Sequence, residues 1–275
     1  MTTDDKITTL LDRLSGLPSL AVAFSGGADS ALVLAAAVRA LGTGRVLAVT
    51  AVSDSLADEE LDVARDFAAS LGVRHLLPRT AETAVPGYRA NGRDRCYFCK
   101  SEVLDVIGRV AARHGFPHTA TGTNADDAVD PFRPGIRAAD ERGVLAPLRD
   151  AGLTKAEVRR ASQAWGLVTW DKPAAPCLAS RVAYGVEVTP RRLHRIEAAE
   201  RAVRRLLAGA GLPVTDLRVR DLGDRVRVEL DPALVARAAD LPGLVPAVRD
   251  AGFHDAQVGV APFRSGALNI EPPRG

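Results

Sequence analysis

Apolar positions along the chain follow two rhythms. Ile7, Leu10, Leu11 and Leu14 recur at the i, i+3, i+4, i+7 spacing of a helix face, and Gly16 with Pro18 ends that stretch. Leu20 to Phe24 is a short apolar run, Gly26-Gly27 turns the chain, and a helix is predicted from Ala31 to about Leu41, stopped by Gly42. The order repeats: a strand over Val46 to Val52, a helix over Leu56 to Leu71 with Gly72 beyond its end, and a strand over Val73 to Leu77. Val103, Val106, Ile107 and Val110 mark a helix over Glu102 to His114, closed by Gly115, before a short strand from His118 to Gly122. Strands alternating with helices of this length predict right-handed crossovers and a parallel sheet covered on both faces, a doubly wound α/β fold.

The rhythm then changes. Thr154 and Glu157 have the form of a capping box ahead of a helix running to Trp165, with Gly166 beyond it. From Trp170 to Gly185 Pro, Ala, Cys and Ser follow no period, which reads as a linker or active-site loop. Thr189-Pro190 opens a helix carrying Leu193, Ile196, Val203 and Leu206, and Arg218 to Leu230 reads as two strands around a turn at Gly223-Asp224. A helical stretch near Pro232 to Asp250 and a strand near Ala256 to Val260 follow. The expected division is a nucleotide-type domain over 1–170, a cysteine-bearing loop over 171–188, and a smaller α+β domain over 189–275 that binds substrate or drives assembly into a homo-oligomer.

Composition narrows the function. The chain has 275 residues, 47% hydrophobic and 25% charged, values of a folded globular protein that exclude wholesale disorder and coiled coil. Thirty-six Lys and Arg against 34 Asp and Glu leave a net charge of +2, so no general field draws the chain to nucleic acid or a membrane, and any anion must be held locally. Three cysteines cannot all pair with one another, which favours a reducing compartment over a disulfide scaffold. The start MTTDDKITTL lacks the basic and apolar regions of a secretory signal, and no apolar run reaches the ~18 residues of a membrane span. The expectation is a cytoplasmic protein.

Ser25-Gly26-Gly27-Ala28-Asp29-Ser30 lies between an apolar strand and a helix, where exposed N–H groups and the positive end of the helix dipole meet. Two glycines let the backbone approach phosphate oxygens, and the hydroxyls of Ser25 and Ser30 add donors. Neither the Walker A pattern nor the dinucleotide fingerprint is met. The hexapeptide instead resembles the S-G-G-x-D-S signature of the PP-loop ATP pyrophosphatase superfamily. Thr121-Gly122-Thr123-Asn124-Ala125-Asp126-Asp127 follows the next strand and should lie at the same sheet edge. Adjacent Asp126 and Asp127 suit a hydrated Mg²⁺ bridging phosphates, although such a segment alone is also an ordinary Asn/Asp turn. It is similar to the G-T-N-x-D-D segment of PP-loop enzymes, which implies ATP contacts at Gly122, Thr123, Asn124 and Asp127. The resemblance also places adenine near the backbone of Thr50 and Ala51.

Cys96 and Cys99 form a C-x-x-C at the entrance of a helix, and Cys177 stands alone between Pro176 and Leu178. Each by itself is as readily a small buried hydrophobe. Arg95, Lys100 and Arg181 nearby in sequence favour the thiolate. Structural zinc needs four protein ligands, and His75, His114 or His118 lack motif spacing to the pair. Three thiolates would hold a [4Fe–4S] cube with one iron open.

Trp170 to Pro173, Pro176 to Arg181, Tyr184-Gly185 and Asn91 to Lys100 together resemble the LarE family of PP-loop sulfur transferases, a likeness spanning nearly the whole chain. Members convert carboxylates of pyridinium-3,5-biscarboxylic acid mononucleotide to thiocarboxylates for the nickel-pincer nucleotide cofactor of lactate racemase. The resemblance implies adenylation by ATP with Asp29, Cys177 and Arg181 in catalytic positions. It also implies a sulfur supplied either by Cys177 itself or by a [4Fe–4S]-bound sulfide on Cys96, Cys99 and Cys177, replenished from sulfide or a cysteine-derived donor. Arg218 and Arg220, two apart on one strand and so on one face, could hold the substrate phosphate with Arg181 or form a solvated Arg-rich face, and Glu200 is a candidate metal or substrate ligand or an ordinary surface-helix residue. Two other readings stay open: a tRNA-thiolating or amide-forming PP-loop enzyme, which should carry a basic stripe, and a non-catalytic nucleotide-binding protein with a structural metal.

Overall fold

In the computed structural model, which describes residues 1–129, 134–264 and 266, Leu20–Ala23 (β1), Val46–Val49 (β2), Arg74–Leu76 (β3) and Thr119–Ala120 (β4) form one parallel sheet in the order β3-β2-β1-β4. The helices of this part of the chain are Thr3–Ser15 (α1), Ala28–Leu41 (α2), Asp58–Ser70 (α3), Pro86–Arg89 (α4), Arg95–Arg113 (α5), Ala125–Val129 (α6), Pro134–Asp140 (α7), Pro147–Asp150 (α8) and Lys155–Ala164 (α9). Leu20, Val22, Val46 and Ala48 point into one core with residues of α1, α2, α3 and α9. Ala21, Leu47 and Val49 point into a second core with Ile107 and Ala111 of α5. The two-residue period of the strands therefore divides their apolar side chains between two covered faces. Helix α2 is buried along nearly its whole length, from Ala31 to Ala37 without interruption, as a helix apolar on all sides must be.

Pro190–Gly209 (α10) packs on an antiparallel pair, Leu217–Asp221 (β5) and Arg225–Leu230 (β6), with Gln257–Pro262 (β7) parallel to β6. Thr189 caps α10 through its side chain, Pro190 occupies the first turn, and Leu193, Ile196, Ala199, Val203 and Leu207 form its buried stripe. Leu206, expected in that stripe, is half-buried. The predicted helical stretch over 232–250 breaks into Val235–Ala239 (α11) and Leu244–Asp250 (α12), because Pro242 has no N–H to continue the first helix.

Two compact units emerge: Met1–Glu82 with Cys96–Ala175, and Thr83–Arg95 with Pro176–Gly275. The segment 83–95 thus joins the second unit, although the sequence division placed it with the first. Its anchor is Asn91, fully buried and at φ 55°, whose side-chain amide donates to the carbonyls of Ala183 and Val186 at 2.8 Å each. Val188 N–H donates to Arg89 O at 3.0 Å beside an Arg89–Glu187 ion pair. These bonds link residues about a hundred positions apart, beyond the reach of local pattern. Helix α5 also starts at Arg95, earlier than its apolar stripe announces, so Cys96 and Cys99 lie within its first five residues.

Candidate active site

In the first unit, the site is built where β1 runs into α2. Gly26 sits at φ +72°, and an added Cβ would stand 3.3 Å from Ala64 Cβ, so glycine serves both the turn and the close approach. Gly27 is the N-cap of α2 and supplies no side-chain hydrogen bond. Gly27 thus caps none of the first-turn N–H groups, which stand at the positive end of a helix, an arrangement that takes anions. Ser30 staples the loop from inside: its hydroxyl accepts from Ser25 N–H at 3.2 Å, donates to Gly27 O at 3.1 Å and meets the Ser25 hydroxyl at 3.1 Å.

The second motif is pressed onto the first. A Cβ on Gly122 would lie 2.6 Å from Ser30 N and 2.9 Å from Asp29 C. Thr121 and Thr123 hydroxyls are 3.1 Å apart. Asn124 Nδ2 donates to Asp29 Oδ1 at 3.3 Å, while its Oδ1 accepts the Asp126 and Asp127 N–H groups at 2.9 and 3.1 Å. Asp127 Oδ2 accepts Asn124 N–H at 3.2 Å and Asp126 Oδ2 accepts Lys155 N–H at 2.8 Å. The acidic pair, read from sequence as magnesium ligands, thus makes cap bonds at the starts of α6 and α9.

Two lysines complete this half; neither was a candidate site residue, although Lys172 lies in the Trp170 to Pro173 stretch that carries the family resemblance. Lys155 Nζ pairs with Asp29 Oδ2 at 2.5 Å. Lys172 Nζ donates to Gly26 O at 3.1 Å and to Glu60 Oε2 at 2.8 Å. Lys155 was hidden inside the capping box and Lys172 inside the aperiodic stretch. Thr50, expected near adenine, has its hydroxyl on Phe24 O at 2.6 Å and His75 Nε2 at 2.8 Å, and its N–H on Leu76 O at 3.0 Å. Neither donor is free for a base. Burial, followed by the charge of Arg65, holds the His75 imidazole below the usual histidine range.

In the second unit, Cys177 is exposed and heads a short 3₁₀ turn over Leu178–Arg181. Arg181 encloses that turn. Its Nε donates to Glu200 Oε1 at 3.0 Å, and its Nη1 donates to the carbonyls of Pro176 and Cys177, the latter at 3.0 Å, and to the Ser180 hydroxyl. Glu200 Oε1 also accepts Val219 N–H at 3.0 Å, tying the turn to β5. Arg220 Nε pairs with buried Glu229 at 2.9 Å and its Nη1 donates to Ser180 O at 3.0 Å. Of the residues expected to grip a substrate phosphate, Arg181 and Arg220 are thus committed internally, and Glu200 is the partner of an arginine.

Arg218 differs. It donates to Leu217 O at 2.7 Å and lies 5.6 Å from the Phe263 ring centre, with no carboxylate in ion-pair reach among the described residues. Burial, then the charges of Arg181 and Arg220, hold its guanidinium below the ordinary arginine value, with Glu200 and Asp216 partly opposing. A partly desolvated cation without an ion-pair partner among the described residues is suited to an incoming anion.

None of the three cysteines is in a disulfide: Cys96 and Cys177 are exposed and Cys99 is half-buried. Cys96 and Cys99, one helical turn apart, are neighbours on α5. Within either unit no three described His, Cys, Asp or Glu side chains converge as a metal site. Of the cations expected to favour thiolates, Arg95 is instead bonded to Asn91 Oδ1 and, at 2.9 Å, to Ala179 O. Lys100 is held below the usual lysine range by burial, with the Cys99 charge opposing.

No helix among the described residues is long and apolar enough to cross a membrane. The NAD synthase family model matches residues 6–84, the segment holding β1, the glycine loop and α2. The chain is 40% identical to an uncharacterized protein, slr1717, of Synechocystis over 97% of both chains. It is 33% identical to the pyridinium-3,5-bisthiocarboxylic acid mononucleotide synthase of Lactiplantibacillus plantarum, over 96% of this chain and 94% of that one. A GMP synthase of Parafrankia is 31% identical over 76% of this chain and 43% of its own length. An uncapped helix head behind S-G-G-x-D-S, the parallel sheet that presents it and near full-length identity together establish an enzyme of the PP-loop ATP pyrophosphatase type, and the chain belongs to the LarE family of sulfurtransferases.

Proposed function

We propose that the protein adenylates the carboxylates of pyridinium-3,5-biscarboxylic acid mononucleotide and converts them to thiocarboxylates, in the cytoplasm, as a step toward the nickel-pincer nucleotide. The observation that carries this reading is the open head of α2, with Gly122 and Asn124 packed beside it. The first-turn N–H groups of α2 receive triphosphate oxygens, and Lys155 moves from Asp29 toward the charge that grows as pyrophosphate leaves. The substrate carboxylate attacks the α-phosphorus, the bond to pyrophosphate breaks, and an acyl adenylate forms. A sulfur nucleophile then adds to the activated carbonyl and AMP departs, which oxide from a free carboxylate would not do. Arg218 holds the substrate phosphate, while Arg181 keeps the Cys177 turn in shape.

Magnesium accompanies ATP in this reading. Asp126 and Asp127 each have a carboxylate oxygen in a cap bond, so they fit a mostly hydrated ion better than a protein cage. The thiol set suits iron by its chemistry: two thiols one turn apart on α5 and a third on an exposed turn, none of them in a disulfide. When bound on Cys96, Cys99 and Cys177, a [4Fe–4S] cluster would supply the transferable sulfide. A second reading, favoured by the exposure of Cys177 at the head of its turn, is donation of that residue's own sulfur.

Anaerobic protein given ATP, Mg²⁺ and the pyridinium dicarboxylate should release pyrophosphate and AMP. Cluster-bound protein should absorb near 400 nm (about, as for thiolate-ligated iron), and Cys96→Ala should lose that band. Intact mass after one turnover decides the sulfur source. A chain lighter by one H₂S at Cys177 establishes self-donation; an unchanged chain that has produced thiocarboxylate establishes an external sulfide.

A further inference from the structure

We propose that Lys172 is a positioning residue for the nucleotide step, holding the Gly26 carbonyl so that the Gly27 N–H is turned toward the phosphates. This rests on the reading above that the loop takes ATP. The Gly26–Gly27 peptide is trans, as all described peptides are, so its carbonyl and its N–H point in opposite directions. Glycine on both sides makes rotation of that peptide plane inexpensive, since neither neighbour has a Cβ to oppose it. The Gly27 carbonyl is already held, by Ala31 N–H at 2.9 Å and the Ser30 hydroxyl at 3.1 Å. The Gly26 carbonyl is held by Lys172 Nζ at 3.1 Å. That bond selects one of two near-equal orientations, and with it the side on which Gly27 presents its donor.

The ammonium is itself fixed. Glu60 on α3 accepts from it at 2.8 Å, its side chain is 15% exposed, and Arg159 Nη2 donates to the Lys172 carbonyl at 3.3 Å. Glu60 neutralises the charge, so the role of Lys172 is directional, a donor aimed at one carbonyl.

The test uses the full chain with Lys172→Met, which keeps the apolar stem and removes the donors, and Lys172→Gln should the Met variant not fold. The expected result is a fall of about 10- to 100-fold in kcat/KM for ATP in pyrophosphate release, below the roughly 100- to 1000-fold cost of losing an oxyanion donor outright because the Gly27 N–H is misdirected and not removed, with the KM for the pyridinium substrate unchanged. A lowered melting midpoint with unchanged kinetics would overturn the proposal. Hydrogen exchange at the Gly27 amide, measured without nucleotide, should quicken in Lys172→Met. That readout stands even if wild type releases no pyrophosphate, an outcome that would refute the ATP reading alone; unchanged exchange would refute the orientation.

Discussion

Gly122 lies against the backbone of Ser30 so closely that a methyl group on it would stand 2.6 Å from the Ser30 nitrogen. Neither side can yield without moving the first turn of α2. Gly122→Ala is therefore expected to lose about 2–3 kcal/mol of stability, in the range of overpacking substitutions, and to lose ATP-dependent pyrophosphate release. Gly108→Ala, in α5 where nothing lies within 4 Å, should instead gain up to about 1 kcal/mol. Denaturant titrations of the pair check this, and equal stabilities would mean that the close approach does not constrain the site.

Asp29 and Lys155 form an ion pair at the head of two helices. A lysine in the first turn of α9 opposes that helix's dipole, so its placement serves Asp29 and the site more than the helix. Asp29→Ala and Lys155→Ala should each reduce pyrophosphate release at least tenfold (roughly, as for loss of one charge-stabilising group) with melting midpoints near wild type. Survival of turnover in Asp29→Ala would show the loop assignment to be wrong.

Arg218 and Arg220 share a strand but should answer differently to alanine. Arg220→Ala leaves Glu229, 2% exposed, still paired with Arg227 at 3.0 Å. A loss of about 1–3 kcal/mol follows, below the cost of a wholly unpaired buried charge. Arg218→Ala removes no ion pair and should leave stability little changed while raising KM for the phosphate-bearing substrate. Thermal melts and substrate titrations separate the two, and an unaltered KM in Arg218→Ala would remove that residue from the substrate site.

Acid should weaken the link between α1 and α9. The Lys6 ammonium, then the Thr154 N–H, hold the Glu157 carboxyl at about 2, down from 4.5. A depressed carboxylate stabilises the fold fully above about 4.5 and loses that contribution as pH falls through about 2. Lys6→Met should flatten this part of the stability profile and cost on the order of 1–2 kcal/mol at neutral pH. An unchanged slope between these pH values would place the acid sensitivity elsewhere.

Much of the fold was legible because its signals are local. Apolar runs of strand length, helical spacing and glycines such as Gly72, at φ +64°, act within a few residues and mark the βα units directly. The glycine loop was legible for the same reason: a turn and a helix head are made by adjacent residues. Thr154 and Glu157 do form the capping box their spacing predicts. The contacts of the two lysines were not legible: Lys172 lies in the Trp170 to Pro173 stretch that carries the family resemblance, but it meets Gly26 from 146 positions away, and no local pattern announces that contact.

Sequence alone therefore determined the doubly wound sheet, the anion-accepting loop and the supply of thiols, since these depend on periodicity, turn chemistry and residue type. Tertiary structure decided which charges are committed and which remain. Arg181 and Arg220 are tied to carboxylates that approach only on folding, Arg218 is left over, and Asn91 draws its segment into the second unit. Such pairings depend on distances between residues remote in the chain, a quantity that no local pattern encodes.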